Sequence, residues 1–203
     1  ATRIELGEKF GFMWECPDLF ELDGELILVC CPQGVPADGW RYQNPHQCVW
    51  FRIEADWEAP SFKIAGQGMP PMVDAGLDFY APQSFADADG RRIMIGWAGC
   101  PDATAQNPTV ERGWQCALTV PRVLNMRDGK LCQWPAREVE QLRKERVSVT
   151  AGEIVGSPGR LFDAVVSCRG TKSIELEVRE GVVVCFANGM LTLDMGDEGY
   201  GRD

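Results

Sequence analysis

Two carboxylates near the start of the chain flank a stiff dipeptide, in the segment Glu15-Cys16-Pro17-Asp18. The proline fixes its own φ angle and restricts the residue before it, so the backbone that carries Glu15 is held in place. Glu15 lies between Trp14 and Cys16, and a carboxyl group in apolar surroundings is harder to ionise, as a general acid requires. The segment is therefore compatible with acid–base chemistry at Glu15, but taken alone it favours a solvated loop glutamate beside a strand.

Three later segments also hold residue types that could contact a ligand. Residues 78–85 read DFYAPQSF, residues 90–99 read GRRIMIGWAG and residues 113–122 read GWQCALTVPR. Taken singly, each segment fits a structural role, because Asp, Gly and Pro commonly serve only as turn residues. The functional information is in their order along the chain, after the Glu15 segment.

In this order the segments resemble those of glycoside hydrolase family 32. Glu15-Cys16-Pro17-Asp18 is similar to the Glu-Cys-Pro-Asp motif that bears the acid/base glutamate of that family. Asp78-Phe79-Tyr80-Ala81 is similar to its Asp-Phe-Tyr-Ala segment, which lines the substrate pocket. Ile95-Gly96-Trp97 looks like the strand whose tryptophan contacts the sugar, and Leu118-Thr119-Val120-Pro121-Arg122 looks like its Leu-Thr-Leu-Pro-Arg stretch. The resemblance covers nearly the whole chain.

The resemblance implies a β-fructofuranosidase that cleaves sucrose or sucrose 6-phosphate with retention of configuration, and that needs neither a metal nor an organic cofactor. Glu15 is then the catalytic acid/base, and Cys16 tunes its acidity. Tyr80, Trp97 and Asp78 are then substrate-binding residues that hydrogen-bond to the sugar or stack against it. The implied partner is a small-molecule sugar.

The sequence departs from the family pattern in one respect. The family has a nucleophilic aspartate in an Asn-Asp-Pro-Asn-Gly segment and a second aspartate in Arg-Asp-Pro, and neither motif occurs here. Both should precede Glu15, so we expect a fragment that lacks the N-terminal propeller blades and the end of the sandwich. Retaining glycosidases need two carboxylates about 5–5.5 Å apart. We therefore expect these residues alone to be inactive.

Three other functions stay open at this point. The chain could belong to a related five-bladed propeller family that acts on arabinan or xylan by inversion, a mechanism that spaces its carboxylates more widely. It could be a catalytically inactive sugar-binding propeller that keeps Tyr80 and Trp97 without a nucleophile. It could also be a hydrolase of fructans such as inulin or levan.

Strands must position these residues, because the sequence pattern is β almost throughout. Two-residue turns that accept positive φ angles join pairs of short strand patterns, at Asp23-Gly24, Asp89-Gly90, Asp128-Gly129 and Asn188-Gly189. Such a pattern predicts a propeller, a sandwich or a barrel. The resemblance selects among these and implies an all-β fold, a partial five-bladed β-propeller followed by the start of a β-sandwich.

We predict a short helix over residues 135–143 and a domain boundary beyond it. Residues 1–145 would supply the later blades of the catalytic propeller, and residues 146–203 the N-terminal part of the sandwich. Strands of this second unit are predicted at residues 147–150, 164–167, 174–178 and 182–186. Residues 174–178 alternate strictly between apolar and charged side chains, as a half-buried strand does.

Composition excludes several classes of partner. The net charge of -10 and the isoelectric point of about 4.7 disfavour nucleic acid and anionic membrane surfaces. No apolar run is long enough to cross a bilayer. The nine cysteines form no C-x-x-C pair, which disfavours a zinc site and favours reduced thiols in the cytoplasm. The single histidine, His46, has no evident partner for a Ser-His-Asp arrangement.

Overall fold

The computed structural model describes residues 10–58, 61–66, 68–103, 108–150, 152, 161–179 and 181–195. Nearly all of the regular structure in these ranges is β-strand, so the predicted all-β class is confirmed. The strands are β1 Met13–Leu22, β2 Glu25–Gln33, β3 Val49–Asp56, β4 Ser61–Ile64, β5 Tyr80–Ala86, β6 Arg92–Ala98, β7 Ala117–Leu118, β8 Arg122–Arg127, β9 Lys130–Pro135, β10 Ser173–Arg179, β11 Val182–Ala187 and β12 Met190–Asp194. Two 3₁₀ helices cover Pro108–Arg112 and Arg137–Leu142.

The strands form three antiparallel sheets. The first has the order β1-β2-β3-β4, and the second has the order β5-β6-β8-β9 with β7 also paired to β6. The third is β10-β11-β12. Neighbours in sequence are mostly neighbours in the sheet, as expected of meanders closed by short turns.

The chain divides into two compact units. One comprises residues 1–103 and 107–142 and holds the first two sheets, and the other comprises residues 104–106 and 143–203 and holds the third. The assignment of residues 1–145 to propeller blades and of residues 146–203 to a sandwich stays a prediction. Within the second unit, the strands predicted at residues 174–178 and 182–186 are confirmed as parts of β10 and β11.

Three of the four predicted turns have the expected backbone. Asp23-Gly24, Asp128-Gly129 and Asn188-Gly189 have positive φ at both residues, as a type I′ turn requires. The prediction of the same turn at Asp89-Gly90 is wrong, since only the glycine there has a positive φ, of 78°. The carboxylate of Asp87 accepts hydrogen bonds from the backbone N–H groups of residues 89 and 91, and this side chain organises a wider loop.

Two further predictions are wrong in the later part of the chain. Pro135 does not begin a helix; it is the last residue of β9, opposite Arg122, and only a 3₁₀ helix follows at Arg137–Leu142. The strands predicted at residues 147–150 and 164–167 do not form within the described ranges. A strand needs a hydrogen-bonded neighbour, and apolar pattern alone does not supply one.

Two apolar cores lie against the two faces of β2. Odd-numbered residues such as Ile27, Val29 and Cys31 belong to the first core, and even-numbered residues such as Leu28 and Cys30 belong to the second. All of these side chains are buried on both faces, which explains why the strand reads as an uninterrupted apolar run. The first core also includes Phe20, Leu22, Cys48, Trp50, Val73, Phe79, Tyr80, Met94, Cys100 and Leu124.

Candidate active site

The first candidate catalytic residue lies at a β-bulge in β1. The register pairs Asp18 with Val29 and then Glu15 with Cys31, so β1 contains one residue more than β2 between these pairs. Cys16 within the bulge has a φ of 47°. A residue other than glycine in this left-handed region costs of order 1–3 kcal/mol, so the surrounding structure must hold it there.

The bulge decides which face of the sheet carries Glu15. Side chains alternate between faces, so an inserted residue exchanges the faces of everything beyond it. Beyond the bulge, Glu15 lies on the face of Cys31 and the first core. Trp14 lies on the other face, where its ring stacks on Phe51 at 5.1 Å and 12° in the second core.

A second bulge of the same kind lies in β5. The register pairs Gln83 with Ile95 and then Tyr80 with Trp97, which again leaves one extra residue. The bulge residue Ala81 has a φ of 48° and, like Cys16, precedes a proline. The two bulges are joined, because the side-chain amide of Gln83 donates to the carbonyl oxygen of Cys16 at 3.3 Å.

The residues that precede the two bulges meet at one carboxylate oxygen. The phenol of Tyr80 donates to Oε2 of Glu15 at 2.9 Å. The amide of Gln33, at the end of β2, donates to the same oxygen at 2.8 Å and lies 3.3 Å from the phenol oxygen. Glu15 is half-buried and Tyr80 is buried. Two donors thus hold one carboxyl oxygen of Glu15 at a partly buried site.

Tyr80 keeps its proton at this position. Burial raises the pKa of its phenol well above the ordinary value, and the hydrogen bond to Glu15 raises it further against an opposing effect of Gln33. A phenol that does not ionise donates to a carboxylate at every pH at which a protein works.

Two buried thiols, Cys31 and Cys48, lie next to the site and interact with each other. The hydrogen bond from Cys48 lowers the pKa of Cys31, and the backbone N–H of Ala81, 3.3 Å from Sγ of Cys31, acts in the same direction. Burial raises the pKa of Cys48. Burial also raises the pKa of Cys16, with smaller contributions from its neighbours Cys31 and Glu15. Cys31 lies opposite Glu15 in β2, and its contact with Ala81 therefore connects β2 to the bulge in β5.

Aromatic rings wall the site on the side of Tyr80. Trp97, its partner in the register, meets it edge-on with ring centroids 6.5 Å apart. A Cβ atom at Gly99 would come within 2.4 Å of the Trp97 indole, so glycine is needed there for the indole to fit. The ring of His46 lies 6.3 Å from that of Tyr80.

His46 has a partner that the sequence did not reveal. Its Nε2 lies 2.9 Å from a carboxylate oxygen of Asp102. The carboxylate of Asp102 is 82% exposed, which makes the pair a rim contact and not a buried catalytic dyad. The two residues are 56 positions apart, a separation at which sequence carries no pairing signal.

The structure brings together four of the five predicted site residues, namely Glu15, Cys16, Tyr80 and Trp97. The fifth, Asp78, is half-buried. Burial raises the pKa of Cys100, and Asp78 is close enough for its charge to raise it further. The roles of all five in catalysis and binding stay predictions.

Gln33 is the residue of the site that the sequence analysis missed. It follows an apolar strand in a Pro-Gln-Gly sequence that reads as a turn. The signal that could have found it is the register: counting from the Asp23-Gly24 turn and allowing one bulged residue places Gln33 diagonally across from Glu15.

The described residues contain no group of three or more His, Cys, Asp or Glu side chains arranged to hold a metal ion. Each of the nine cysteines is a free thiol. Among the described segments, none is a helix of the length and apolarity that a membrane crossing requires.

A family model described as glycosyl hydrolases family 32, N-terminal domain, matches residues 2–135. Sucrose-6-phosphate hydrolase of Bacillus subtilis (strain 168) is 36% identical over 194 residues, which cover 87% of this chain and 40% of the relative. Sucrose-6-phosphate hydrolase of Salmonella typhimurium is also 36% identical, over 95% of this chain and 38% of the relative.

The solved structure of a sucrose-6-phosphate hydrolase from Lactobacillus gasseri matches with a TM-score of 0.72 and 25% identity, over 97% of this chain and 42% of that chain. A Bombyx mori GH32 β-fructofuranosidase, solved as a mutant in complex with sucrose, matches with a TM-score of 0.62 and 34% identity. The match covers 68% of this chain and 29% of that chain. With these neighbours, the predicted partial propeller followed by the start of a sandwich is confirmed. The chain spans about two fifths of the length of the curated relatives it matches.

Proposed function

The chain belongs to glycosyl hydrolase family 32, and we propose from this membership that it is part of a β-fructofuranosidase-type enzyme that cleaves the fructosyl linkage of sucrose or sucrose 6-phosphate. The observation that carries the proposal is the carboxylate of Glu15, turned by a bulge onto the face of Tyr80 and held there by the 2.9 Å hydrogen bond from its phenol. A half-buried carboxylate with fixed donors and an aromatic wall suits acid/base chemistry on a sugar.

In the proposed mechanism, an aspartate outside these 203 residues attacks the anomeric carbon of the fructosyl unit. Glu15 gives its proton to the departing glucosyl oxygen, and later takes a proton from the water that releases fructose, so that configuration is retained. Trp97, Tyr80 and Asp78 bind the sugar, and Cys16 tunes the acidity of Glu15. The reaction needs no metal and no organic cofactor.

The names of the relatives favour sucrose 6-phosphate and sucrose over fructans as substrates. The relatives from Bacillus subtilis and Salmonella typhimurium are named sucrose-6-phosphate hydrolases, and each is 36% identical to this chain. A phosphorylated sugar is an intracellular substrate, and free thiols at nine of nine cysteines fit the same compartment. We therefore place the enzyme in the cytoplasm.

An assay of kcat/KM on sucrose, sucrose 6-phosphate and inulin ranks the three substrates.

The decisive test is Glu15→Gln in the full-length protein. The amide keeps the shape of the side chain but has no acidic proton to transfer to the leaving group, so kcat/KM for sucrose or its 6-phosphate should fall about 100- to 10,000-fold. Glu21→Gln, on the same strand at an exposed position, is the matched control and should act as wild type. Unchanged hydrolysis in the Glu15 variant would exclude the catalytic assignment.

The inactive sugar-binding alternative is tested by the same protein. A propeller that only binds sugar would bind sucrose, as measured by calorimetry, and release no fructose from it. The proposed enzyme should release fructose, and the Glu15→Gln variant should still bind the sugar with a dissociation constant within about threefold of wild type, because uniform binding is separate from acid catalysis.

A further inference from the structure

We propose that Gln33 is the positioning residue of the acid/base, and that its amide confines the catalytic proton to Oε1 of Glu15. The inference rests on the proposed function, since it assigns a role relative to Glu15. It is carried by the hydrogen bonds that Gln33 makes to Glu15 and to Tyr80.

The three side chains form a closed triangle of hydrogen bonds. The side-chain amide nitrogen of Gln33 donates to Oε2 of Glu15 at 2.8 Å and lies 3.3 Å from the phenol oxygen of Tyr80. The phenol donates in turn to the same Oε2 at 2.9 Å. A phenol has a single O–H, which is used on Oε2, so toward the amide the phenol oxygen can only accept.

The triangle distinguishes the two oxygens of Glu15. Oε2 already accepts from an N–H and an O–H, and a proton placed on it would face two donors. Among the described residues, nothing hydrogen-bonds to Oε1. The protonated acid therefore carries its proton on Oε1, and the leaving-group oxygen must approach that atom.

The backbone of Gln33 is fixed at both sides, as a positioning residue requires. Its carbonyl oxygen accepts from the N–H of Phe12 at 2.9 Å, and it forms a β-bridge with His46. Gly11 passes so close that a Cβ atom there would lie 2.3 Å from the Gln33 carbonyl oxygen. Pro32, immediately before it, is fully buried. The amide is thus held on a rigid segment and not on a mobile loop.

The test uses Gln33→Met in the full-length enzyme, with two substrates. The glucose unit of sucrose is a poor leaving group that needs a proton, whereas an aryl β-fructofuranoside releases p-nitrophenolate without one. We expect kcat/KM for sucrose to fall about 10- to 100-fold and that for the aryl substrate to fall less than about threefold, because only the first depends on a placed proton.

Two further variants keep the result interpretable. Gln33→Leu has a similar size and no donor, so it should show the same selective loss even if the Met variant folds poorly. Gln133→Met loses an amide that bonds Arg122 and the carbonyl of Val73, away from Glu15, and should leave the ratio of the two substrates unchanged. Thermal unfolding of each variant reports whether it is folded.

The outcomes separate the two levels of the argument. Equal losses on both substrates in folded Gln33 variants, or no loss on either, would overturn the positioning role while Glu15→Gln still loses sucrose hydrolysis. If Glu15→Gln itself hydrolyses sucrose at the wild-type rate, the proposed function fails, whatever the Gln33 variants do. A selective loss in both Gln33 variants confirms the inference.

Discussion

Tyr80 illustrates, at the scale of a single residue, how one buried phenol can hold a carboxylate in place. Its raised pKa keeps the hydroxyl protonated, so the hydroxyl always donates to Glu15. The sequence predicts Tyr80 as a sugar contact, and that stays a prediction. The structure adds the contact with Glu15, which motif order alone does not reveal because the two residues are 65 positions apart.

Tyr80→Phe in the full-length enzyme should lower kcat/KM for sucrose about 10-fold. The change removes one hydrogen bond to a charged group, worth about 1.5 kcal/mol, and leaves the ring against Trp97 and His46. Steady-state kinetics measure the loss. Tyr42→Phe is the control, because its buried hydroxyl donates to the carbonyl of Pro70 at 2.5 Å and should cost stability without activity. Equal activity loss in the two variants would contradict the role of Tyr80.

At the scale of elements, the strands and most turns follow from the sequence, and the bulges do not. Asp-Gly and Asn-Gly pairs between alternating patterns identify β1–β2, β8–β9 and β11–β12 as hairpins. A bulge contains one unpaired residue, and contacts between strands that are distant in sequence offset its unfavourable conformational free energy. The pattern of β1 alone is therefore compatible with a straight register, in which Trp14 and not Glu15 would face the site.

The sequence likewise identifies some residues of the candidate site and not others. Glu15, Tyr80 and Trp97 were identified because each lies in a recognisable segment, and the register brings the last two opposite each other. Gln33 was not identified, because its partners are decided by the bulge. A proline such as Pro135 suits both a first helical turn and the end of an edge strand, and the choice depends on its neighbour Arg122, which the sequence does not identify.

Cys16→Val should weaken the first bulge. A β-branched side chain is strongly disfavoured at a φ of 47°, so we expect a loss of about 1–3 kcal/mol in the free energy of unfolding and a fall in activity as Glu15 moves. Cys16→Ala, which accepts this backbone more readily, should stay within about 1 kcal/mol of wild type. Urea unfolding and sucrose hydrolysis measure both variants. A Val variant as stable and active as wild type would show that the left-handed backbone at residue 16 is not needed to hold Glu15 in place.

At the scale of the whole first unit, an ionic network joins the β5–β6 loop to the 3₁₀ helix Arg137–Leu142. Arg91 contacts both Asp87 and Glu138, at 2.6 and 2.8 Å. Arg137 contacts Asp89 at 2.6 Å from the helix side. Asp89, Arg137 and Glu138 are exposed, and Arg91 and Asp87 are half-buried. The five charges act together as a latch whose strength depends on salt and on pH.

The pH dependence of this latch follows from Glu138. Hydrogen bonds from Arg91 lower the pKa of Glu138 to about 2, from an ordinary value of 4.5. A carboxyl group with a lowered folded-state pKa stabilises the fold above its unfolded pKa, and that contribution disappears as the pH falls from 4.5 towards 2.

Glu138→Gln should therefore lower the midpoint of thermal unfolding at pH 7, and the difference from wild type should shrink between pH 4.5 and pH 2. Scanning calorimetry at a series of pH values measures it, with the exposed Glu54→Gln as the control. A difference that stays constant through this range would show that the carboxylate of Glu138 does not take part in the latch.

Residues 1–203 expressed alone should not hydrolyse sucrose, because the proposed mechanism needs a second carboxylate that the family places in a motif absent here. The first unit also exposes apolar side chains of a kind that usually face a neighbour, such as Leu118 at 73% and Trp134 at 70%. Fructose release by the isolated chain would contradict the two-carboxylate mechanism, and light scattering would report its association.

The bulge at Cys16 has a genetic consequence as well. Since it consists of one inserted residue, an in-frame loss of the Cys16 codon would return β1 to a straight register. Phe20 and Leu22 would keep their places in the first core. Glu15 would still lie opposite Cys31, on the face that it holds now. A lineage could therefore lose the bulge in one step without moving the carboxylate to the other side of the sheet.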